Sequence, residues 1–153
     1  ALCGETSEIV RQKAARAIAS GLIPVICIGE TAQQRAEGQT LEVIQQQIDE
    51  SLPEGASAQH FVLAYEPVWA IGSGKVPTLD EIAQVHAAII AHVAQRIGLA
   101  SPAEIGQVTV LYGGSVKPDN AKDILVVAGV SGVLVGGASL KADDFYTIVE
   151  SGA

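Results

Sequence analysis

The chain has 153 residues, enough for about one globular domain, and its composition already excludes several classes of protein. Hydrophobic residues make up 48% of the chain and charged residues 17%, which is too apolar for a disordered protein. The formal net charge is −8 and no Lys/Arg-rich run is present, so neither nucleic acid nor an anionic membrane is expected as a partner. An anionic ligand would have to be held by local backbone dipoles.

The cysteines and the apolar runs bear on the compartment of the protein. Cys3 and Cys27 have no spacing typical of a zinc site or a disulfide framework, which favours a reducing compartment without a metal site. No apolar run approaches the ~18 residues of a membrane-spanning helix, and the first residues lack the features of a signal peptide. We therefore expect a cytoplasmic protein.

Helical and strand patterns alternate along the chain. The first half is predicted to contain a helix from Thr6 or Ser7 to Gly21, a strand at 23–28, a helical turn at 32–38, a helix at 40–52 and a strand at 61–65. The second half is predicted to contain a helix from the capping box Thr78-Leu-Asp-Glu81 to Gly98, a strand at 108–112, a helix at 118–128, a strand at 132–135 and a helix at 142–150.

The predicted strands are short apolar runs without polar alternation, which is typical of a parallel sheet covered on both faces. Because each strand is followed by a helix, we predict an α/β fold with right-handed crossovers. Two architectures remain open, a doubly wound sheet and a closed eight-stranded barrel. No G-x-G-x-x-G opens the first helix, which removes the main support for a dinucleotide-binding sheet. In both architectures, sites form where strands end.

Glu66 stands at the end of the second predicted strand, directly before Pro67. A carboxylate beside Trp69 and Ile71 loses water when a loop covers it, which raises its pKa and makes it a proton base, although a surface Glu at a loop start is the alternative. The loop that follows has an apolar centre bounded by residues with special backbone conformations, Pro67 on one side and Gly72-Ser-Gly74 on the other. It suits either a lid that excludes water or an ordinary loop that buries its Trp against a helix.

Paired glycines follow the third and fourth predicted strands, in Tyr112-Gly-Gly-Ser115 and Val135-Gly-Gly-Ala-Ser-Leu140. Such glycines let backbone N–H groups approach a ligand, and a helix N-terminus adds partial positive charge. One pair alone is common in turns, but two in successive loops match the phosphate site that barrels build after their last two strands. Structural roles are predicted for the remaining candidates. Cys27 is predicted to lie in the core, and surface or packing roles are predicted for His60, His86 and His92.

Four strings together resemble the triosephosphate isomerase family in order and spacing: A-Y-E-P-V-W-A-I-G-S-G-K at 64–75, C-I-G-E at 27–30, Y-G-G-S-V at 112–116 and G-V-L-V-G-G-A-S-L at 132–140. The resemblance covers the whole chain. It implies a (β/α)8 TIM-barrel isomerase of glycolysis and gluconeogenesis that interconverts dihydroxyacetone phosphate and glyceraldehyde 3-phosphate without a cofactor. The fold it implies for residues 1–153 is one partial domain, the second half of the barrel, with four parallel strands each followed by a helix and one leading helix.

The resemblance also implies roles for individual residues. Glu66 is expected to be the catalytic base, and Gly72, Ser115, Gly136 and Gly137 are expected to bind the phosphate. Tyr112 and Ser115 are expected to latch the closed lid. The lid itself is expected to consist of Pro67, Val68, Trp69, Ala70, Ile71, Gly72, Ser73, Gly74 and Lys75.

Two features depart from the family pattern. A full barrel needs about 250 residues, and no segment of this chain matches the family's electrophilic His, its substrate-binding Asn and Lys, or the loop inserted into the partner of its homodimers. We therefore expect a carboxyl-terminal part with little activity alone, whose open strand edges self-associate or recruit the missing half. At the far hinge, Lys75-Val-Pro77 replaces a common Lys-Thr-Ala, and Pro77 has no N–H to donate to Tyr112.

Two other functions stay open at this point. One is a non-catalytic phosphate-binding half-barrel or assembly scaffold, which would keep the glycine pairs and would not need Glu66. The other is a different phosphate-binding barrel enzyme, which the unbroken string at 64–75 disfavours.

Overall fold

A computed structural model describes residues 4–152 of the chain, so that Cys3 lies outside the described residues. The elements, in chain order, are α1 (Ser7–Ala19), β1 (Val25–Ile28), α2 (Ala32–Ala36), α3 (Thr40–Ser51), β2 (Val62–Tyr65), α4 (Leu79–Ile97), α5 (Pro102–Ile105), β3 (Val110–Tyr112), α6 (Ala121–Leu125), β4 (Gly132–Val133) and α7 (Ala142–Glu150). Two 3-10 helices lie at Ala58–His60 and Gly137–Leu140. Within residues 4–152, none of the helices is long and apolar enough to cross a membrane.

Local chemistry sets the bounds of α4, the longest helix. The Glu81 N–H donates to Thr78 Oγ1 over 3.2 Å, and Glu81 Oε2 accepts the Thr78 N–H over 2.8 Å, which satisfies donors that the first turn leaves free. Gly98 ends the helix with a φ of 74°, a conformation that costs glycine little. The predicted helix is confirmed, and its buried stripe contains Ile82, Val85, Ile89 and Val93.

The sheet has four parallel strands in the order β1-β2-β3-β4. Its register places Cys27 opposite Ala64, Ala64 opposite Leu111 and Leu111 opposite Gly132. When every crossover is right-handed and the strand order never reverses, all connecting helices lie on one face of the sheet. A doubly wound sheet reverses its order at a switch point. The structure therefore selects the barrel segment from the two predicted architectures.

The core lies between the sheet and the helices that cover its convex face. Side chains of alternate strand residues point into this layer and are almost completely buried, among them Ile26, Ile28, Leu63, Tyr65, Val110 and Tyr112. Ile44 and Ile48 of α3 and Ile89 and Val93 of α4 are buried in the same cluster. Strand alternation thus sends the opposite set of side chains to the concave face.

The concave face of the sheet is open at β1. Val25 is 47% exposed, and Cys27 is also exposed. The prediction that the strands are covered on both faces, with Cys27 in the core, is wrong for β1. The helices cover one face only, whereas the interior of a complete barrel is filled by side chains from all eight strands.

The closing helix α7 is also only partly covered. Ile148 is buried, whereas Phe145 is 41% exposed and Val149 is 56% exposed. Both line an open cleft beside Val133 of the edge strand β4. An edge strand has no further strand and helix to cover its neighbours, and α7 is therefore packed on one side only.

Candidate active site

Glu66 lies immediately beyond β2, between the ends of β1 and β3. Its N–H donates to the Ile28 carbonyl over 2.7 Å, which extends the parallel ladder past the last strand residue. The side chain is half-buried. The Cys27 thiol donates to Glu66 Oε1 with the sulfur and oxygen 3.7 Å apart. A buried strand therefore delivers the carboxylate to the edge of the sheet at which sites form in this class of fold.

Two glycines make room for Glu66. A Cβ on Gly29 would lie 2.5 Å from the carbonyl carbon of Glu66, and a Cβ on Gly113 would lie 2.5 Å from its Cγ. The Gly113 N–H donates to the Tyr65 carbonyl over 2.8 Å and is not open to a ligand. The first glycine after β3 therefore serves the packing of Glu66, whereas the sequence indicated a contribution to an anion site.

The Glu66 carboxylate and the Cys27 thiol both have pKa values above their ordinary ones. Burial raises the pKa of Glu66 above its ordinary value near 4.5, and the hydrogen bond from Cys27 partly offsets that rise. Although Cys27 is exposed on the concave face, its thiol lies against Glu66, and partial desolvation together with the negative charge of Glu66 raises the pKa of Cys27 to about 11. The thiol therefore stays protonated and can donate at neutral pH. A carboxylate whose pKa is raised toward neutrality is suited to taking a proton from a weak acid.

Glu66 also predicts a pH dependence of stability. Because its pKa is higher in the folded chain, the folded state binds more protons than the unfolded state between the two pKa values, and the free energy of unfolding falls as pH rises through that window. Glu66→Gln is therefore expected to raise the free energy of unfolding at pH 7, and the gain should vanish below about pH 4, where the glutamate is neutral in both states. Urea unfolding of both chains at pH 7 and below about pH 4 measures the gain in the free energy of unfolding under each condition. An equal gain at both would contradict the assignment.

A cavity of about 240 Å³ opens beside Glu66. Cys27 of β1 and Gly29, which follows that strand, line one side of it. Val68 and Ile71 line it from residues 67–75, which we call the lid segment. Val68 is 51% exposed and Ile71 is 49% exposed. The segment thus holds two large apolar side chains beside the carboxylate, which is the composition that water exclusion over a base requires.

The tip of the lid segment is a compact turn. Gly72 has a φ of 64° and Gly74 a φ of 74°, so the special backbone predicted at both glycines is confirmed. Ser73 Oγ donates to the Trp69 carbonyl over 2.9 Å and accepts the Lys75 N–H over 3.1 Å. The Ser73 hydroxyl therefore stabilises the turn by bonding to the backbone on both sides of it, a role that the sequence did not indicate.

Glu30 is a buried carboxylate that the sequence analysis did not single out. It follows β1 and is 0% exposed. Trp69 Nε1 donates to Glu30 Oε1 over 2.8 Å, and the Tyr65 hydroxyl lies 3.3 Å from Oε2. The Trp69 indole is thereby hydrogen-bonded to a residue that follows β1, while residues 71–75 of the lid segment stay exposed. A carboxylate close to the carboxyl end of an apolar strand, as at Glu66, was the available signal.

Two of the four predicted phosphate-binding residues line a different cavity. Ser115 and Gly137 line a cavity of about 580 Å³, together with Lys117 and Lys141. A Cβ on Gly136 or Gly137 would meet nothing within 4 Å, so this backbone is open. Glu66 and Gly72 do not line this cavity. The structure brings Ser115 and Gly137 together, and the phosphate role of all four predicted residues stays a prediction.

The two lysines of this cavity were missed by the sequence analysis. Lys117 comes two residues after Ser115, and Lys141 comes directly after the 3-10 helix that starts at Gly137. Their positions after the two glycine pairs were the available signal. They bring two cationic groups to this cavity, but Asp119 and Asp144 line it as well, so its formal charges balance.

Tyr112, the expected latch, is completely buried at the end of β3. Its hydroxyl has no hydrogen-bond partner within residues 4–152, and burial raises its pKa to about 12. The latch role stays a prediction. His86 is also buried, with Nδ1 3.0 Å from the Gly129 carbonyl and its ring edge-on to Tyr65, which confirms a packing role.

Comparison with known proteins gives one consistent result. The sequence model of the family described as triosephosphate isomerase matches residues 1–152. The triosephosphate isomerase of Ruegeria sp. (strain TM1040) is 54% identical over 146 residues, which are 95% of this chain and 58% of the relative. That of Xanthobacter flavus is 50% identical over 147 residues, 96% of this chain and 57% of the relative.

A solved structure agrees in three dimensions. The crystal structure of triosephosphate isomerase from Bartonella henselae superposes with a TM-score of 0.85 at 44% sequence identity, covering 96% of this chain and 57% of that protein. The four-stranded parallel sheet with its helices is thus the second half of a TIM barrel. The chain spans a little over half the length of the relatives it matches. By its sequence and its fold, the chain belongs to the triosephosphate isomerase family.

Proposed function

We propose that the protein to which this chain belongs interconverts dihydroxyacetone phosphate and glyceraldehyde 3-phosphate, with Glu66 as the base. The Glu66 carboxylate takes a proton from the carbon next to the carbonyl, and the electron pair of the broken C–H bond passes to the carbonyl oxygen. Protonated Glu66 then returns the proton to the former carbonyl carbon, while a proton moves between the two oxygens. No net oxidation occurs, so the proposal needs no cofactor.

One observation carries the proposal. The carboxylate of Glu66 is half-buried, has a raised pKa, receives a thiol hydrogen bond and borders a cavity lined by the apolar side chains of the lid segment. A base of this kind is suited to taking a proton from a weak carbon acid in a site that excludes bulk water. The family membership makes a triose phosphate the substrate class to test first.

The phosphate end of the substrate is assigned to the second cavity and the lid. Ser115, Gly136 and Gly137 would offer hydroxyl and backbone donors, and Gly72 would add a backbone N–H when the lid segment closes. Lys141 and Lys117 line the same cavity and would pair with the phosphate in place of the two aspartates that also line it. Closure would have to bring Gly72 toward this cavity.

The enediolate that forms in the reaction needs donors for its negative charge, and such donors are usually the largest catalytic contribution. The family's electrophilic His and its Asn and Lys have no match in residues 1–153. The activity is therefore proposed for the whole protein, in the reducing cytoplasmic setting that the cysteines favour. The chain by itself is expected to turn over substrate poorly.

The test is complementation. Triose phosphate interconversion is measured for this chain alone, for the amino-terminal part of the Ruegeria relative that this chain does not match, and for the two mixed. Turnover that appears only in the mixture supports the proposal. A mixture that associates, by sedimentation, without turning over substrate would contradict it.

A phosphate-binding half-barrel without catalysis is the second candidate. It is favoured by the separation of the Ser115 cavity from the Glu66 cavity, because the first is formed without the base or the lid. Phosphate titration of the chain alone, followed by 31P NMR, distinguishes the two. Saturable phosphate binding with no turnover in any mixture would support the second candidate.

Association is expected from the sheet itself. β1 and β4 are edge strands within residues 4–152, and the concave face carries exposed apolar side chains such as Val25. Unpaired parallel edges of this kind pair with other strands, either of a second copy or of the missing half. We expect sedimentation velocity of the chain alone to show dimers or larger species, and a stable compact monomer of 15.7 kDa to be absent. Homodimers of the whole protein are part of the same proposal.

A further inference from the structure

We propose that Arg35 is a positioning residue that couples the two ends of the lid segment. The importance of this coupling for turnover rests on the proposed function, but the contacts that carry it do not. Arg35 lies on α2, outside both cavities described above, and its side chain is only 27% exposed. It contacts residues before and after the tip of the segment.

The first contact is with the near end of the lid segment. The guanidinium carbon of Arg35 lies 4.5 Å from the centroid of the Trp69 ring, in the geometry of a cation–π interaction. Arg35 Nη1 is also 3.6 Å from Oε1 of Glu30, the oxygen that accepts the indole N–H. Arg35 therefore stacks on the face of the indole, while Glu30 accepts a hydrogen bond from the N–H at its edge.

The second contact is with the far end. Arg35 Nη2 forms an ion pair with Oε1 of Glu81, in the first turn of α4. The other oxygen of Glu81 accepts the N–H of Thr78, the residue that caps α4 three positions after Lys75. One guanidinium is thus connected through Glu81 to the point where the chain leaves the lid segment and enters the helix.

Only arginine can make both contacts at once. Its planar, forked group can stack on a ring and still direct separate N–H donors to two carboxylates, whereas lysine is a point charge on a flexible stem. An exposed ion pair alone would contribute little. Here the two contacts share a partly desolvated cation, so that displacing Trp69 removes the stacking partner of the group that also holds Glu81.

The chain offers a clean reporter for each end. Trp69 is its single tryptophan, so acrylamide quenching of tryptophan fluorescence measures the near end alone. Lys75 is exposed, and the rate of tryptic cleavage of the 75–76 bond, followed by mass spectrometry, measures the far end. Neither readout depends on triose phosphate turnover.

Three variants of the full chain test the proposal. Arg35→Lys keeps the charge and removes the fork. Glu81→Gln removes the ion pair but keeps a residue that can complete the capping box with Thr78. Arg96→Lys is the matched control, since Arg96 is an exposed arginine of α4 whose Nε lies 3.8 Å from Asp49. Far-UV circular dichroism confirms that each variant is folded.

We expect Arg35→Lys to increase both the quenching constant of Trp69 and the cleavage rate after Lys75, the latter roughly 2- to 30-fold, the range that corresponds to one cation–π contact. We expect Glu81→Gln, a change at the far end, to increase the quenching of Trp69 at the near end. Arg96→Lys should change neither. If Arg35→Lys changes only the quenching, or if Glu81→Gln leaves Trp69 as in the unsubstituted chain, the coupling is overturned. The same outcomes hold whether or not the complementation assay detects isomerase activity.

Discussion

Gly29→Ala is expected to lower the free energy of unfolding by about 3 kcal/mol or more, at the top of the range for overpacking a tightly packed site. The new Cβ would lie 2.5 Å from the carbonyl carbon of Glu66. That carbon is backbone, and the adjacent Glu66 N–H is fixed to the Ile28 carbonyl at 2.7 Å, so no side-chain rotation can relieve the overlap. The ends of β1 and β2 would have to separate. Urea unfolding followed by far-UV circular dichroism measures the loss.

Gly137→Ala is the control for this substitution. A Cβ on Gly137 would meet nothing within 4 Å, and the residue begins a 3-10 helix. The substitution should therefore change the free energy of unfolding of the chain by less than about 0.5 kcal/mol. Equal unfolding midpoints for Gly29→Ala and the unsubstituted chain would show that the close approach of Gly29 to Glu66 is not required by the fold.

Glu66→Gln is expected to reduce turnover in the complemented mixture by roughly 10²- to 10⁴-fold, the usual contribution of a positioned general base. The amide keeps the size of the side chain and cannot accept the proton. Glu66→Asp keeps the carboxylate but withdraws it by one methylene, and a misplacement of this order is expected to cost about 10²-fold. The measurement is kcat for triose phosphate interconversion with the amino-terminal part held in excess.

Two comparisons make this result specific to Glu66. Glu54→Gln changes an exposed glutamate that lies outside both cavities and should leave turnover unchanged. Glu66→Gln should associate with the amino-terminal part as the unsubstituted chain does, because the strand edges are unaltered. Retention of more than a tenth of the activity by Glu66→Gln would remove Glu66 from the role of base.

Much of the fold follows from local sequence patterns. The capping box at Thr78 and Glu81 and the left-handed Gly98 bound α4 as predicted, and α7 begins and ends at the predicted residues. Strand β1 begins two residues later than the predicted run of 23–28, and β4 is shorter than predicted. Helix caps are local hydrogen bonds, whereas strand ends depend on how far the neighbouring strand pairs.

The candidate site was predictable in part. Glu66 and the unusual backbone of Gly72 and Gly74 were expected from their places after a strand and in a loop. The interpretation of Cys27 as a core residue was wrong, because an apolar run does not tell which of its two faces the helices will cover. The single strand order of the sheet, which leaves the other face open, is a property of the whole chain.

The sequence by itself determined the alternation of helices and strands, the ends of the capped helices and the family motifs that surround Glu66. Only the tertiary structure decided that Gly29 makes room for the backbone carbonyl of Glu66, that Gly113 makes room for its side chain, and that Glu30 and Arg35 contact the Trp69 indole. The reason is distance along the chain: a cap joins residues three or four apart, whereas Glu30 and Trp69 are 39 residues apart and meet only because β1 and β2 pair in parallel.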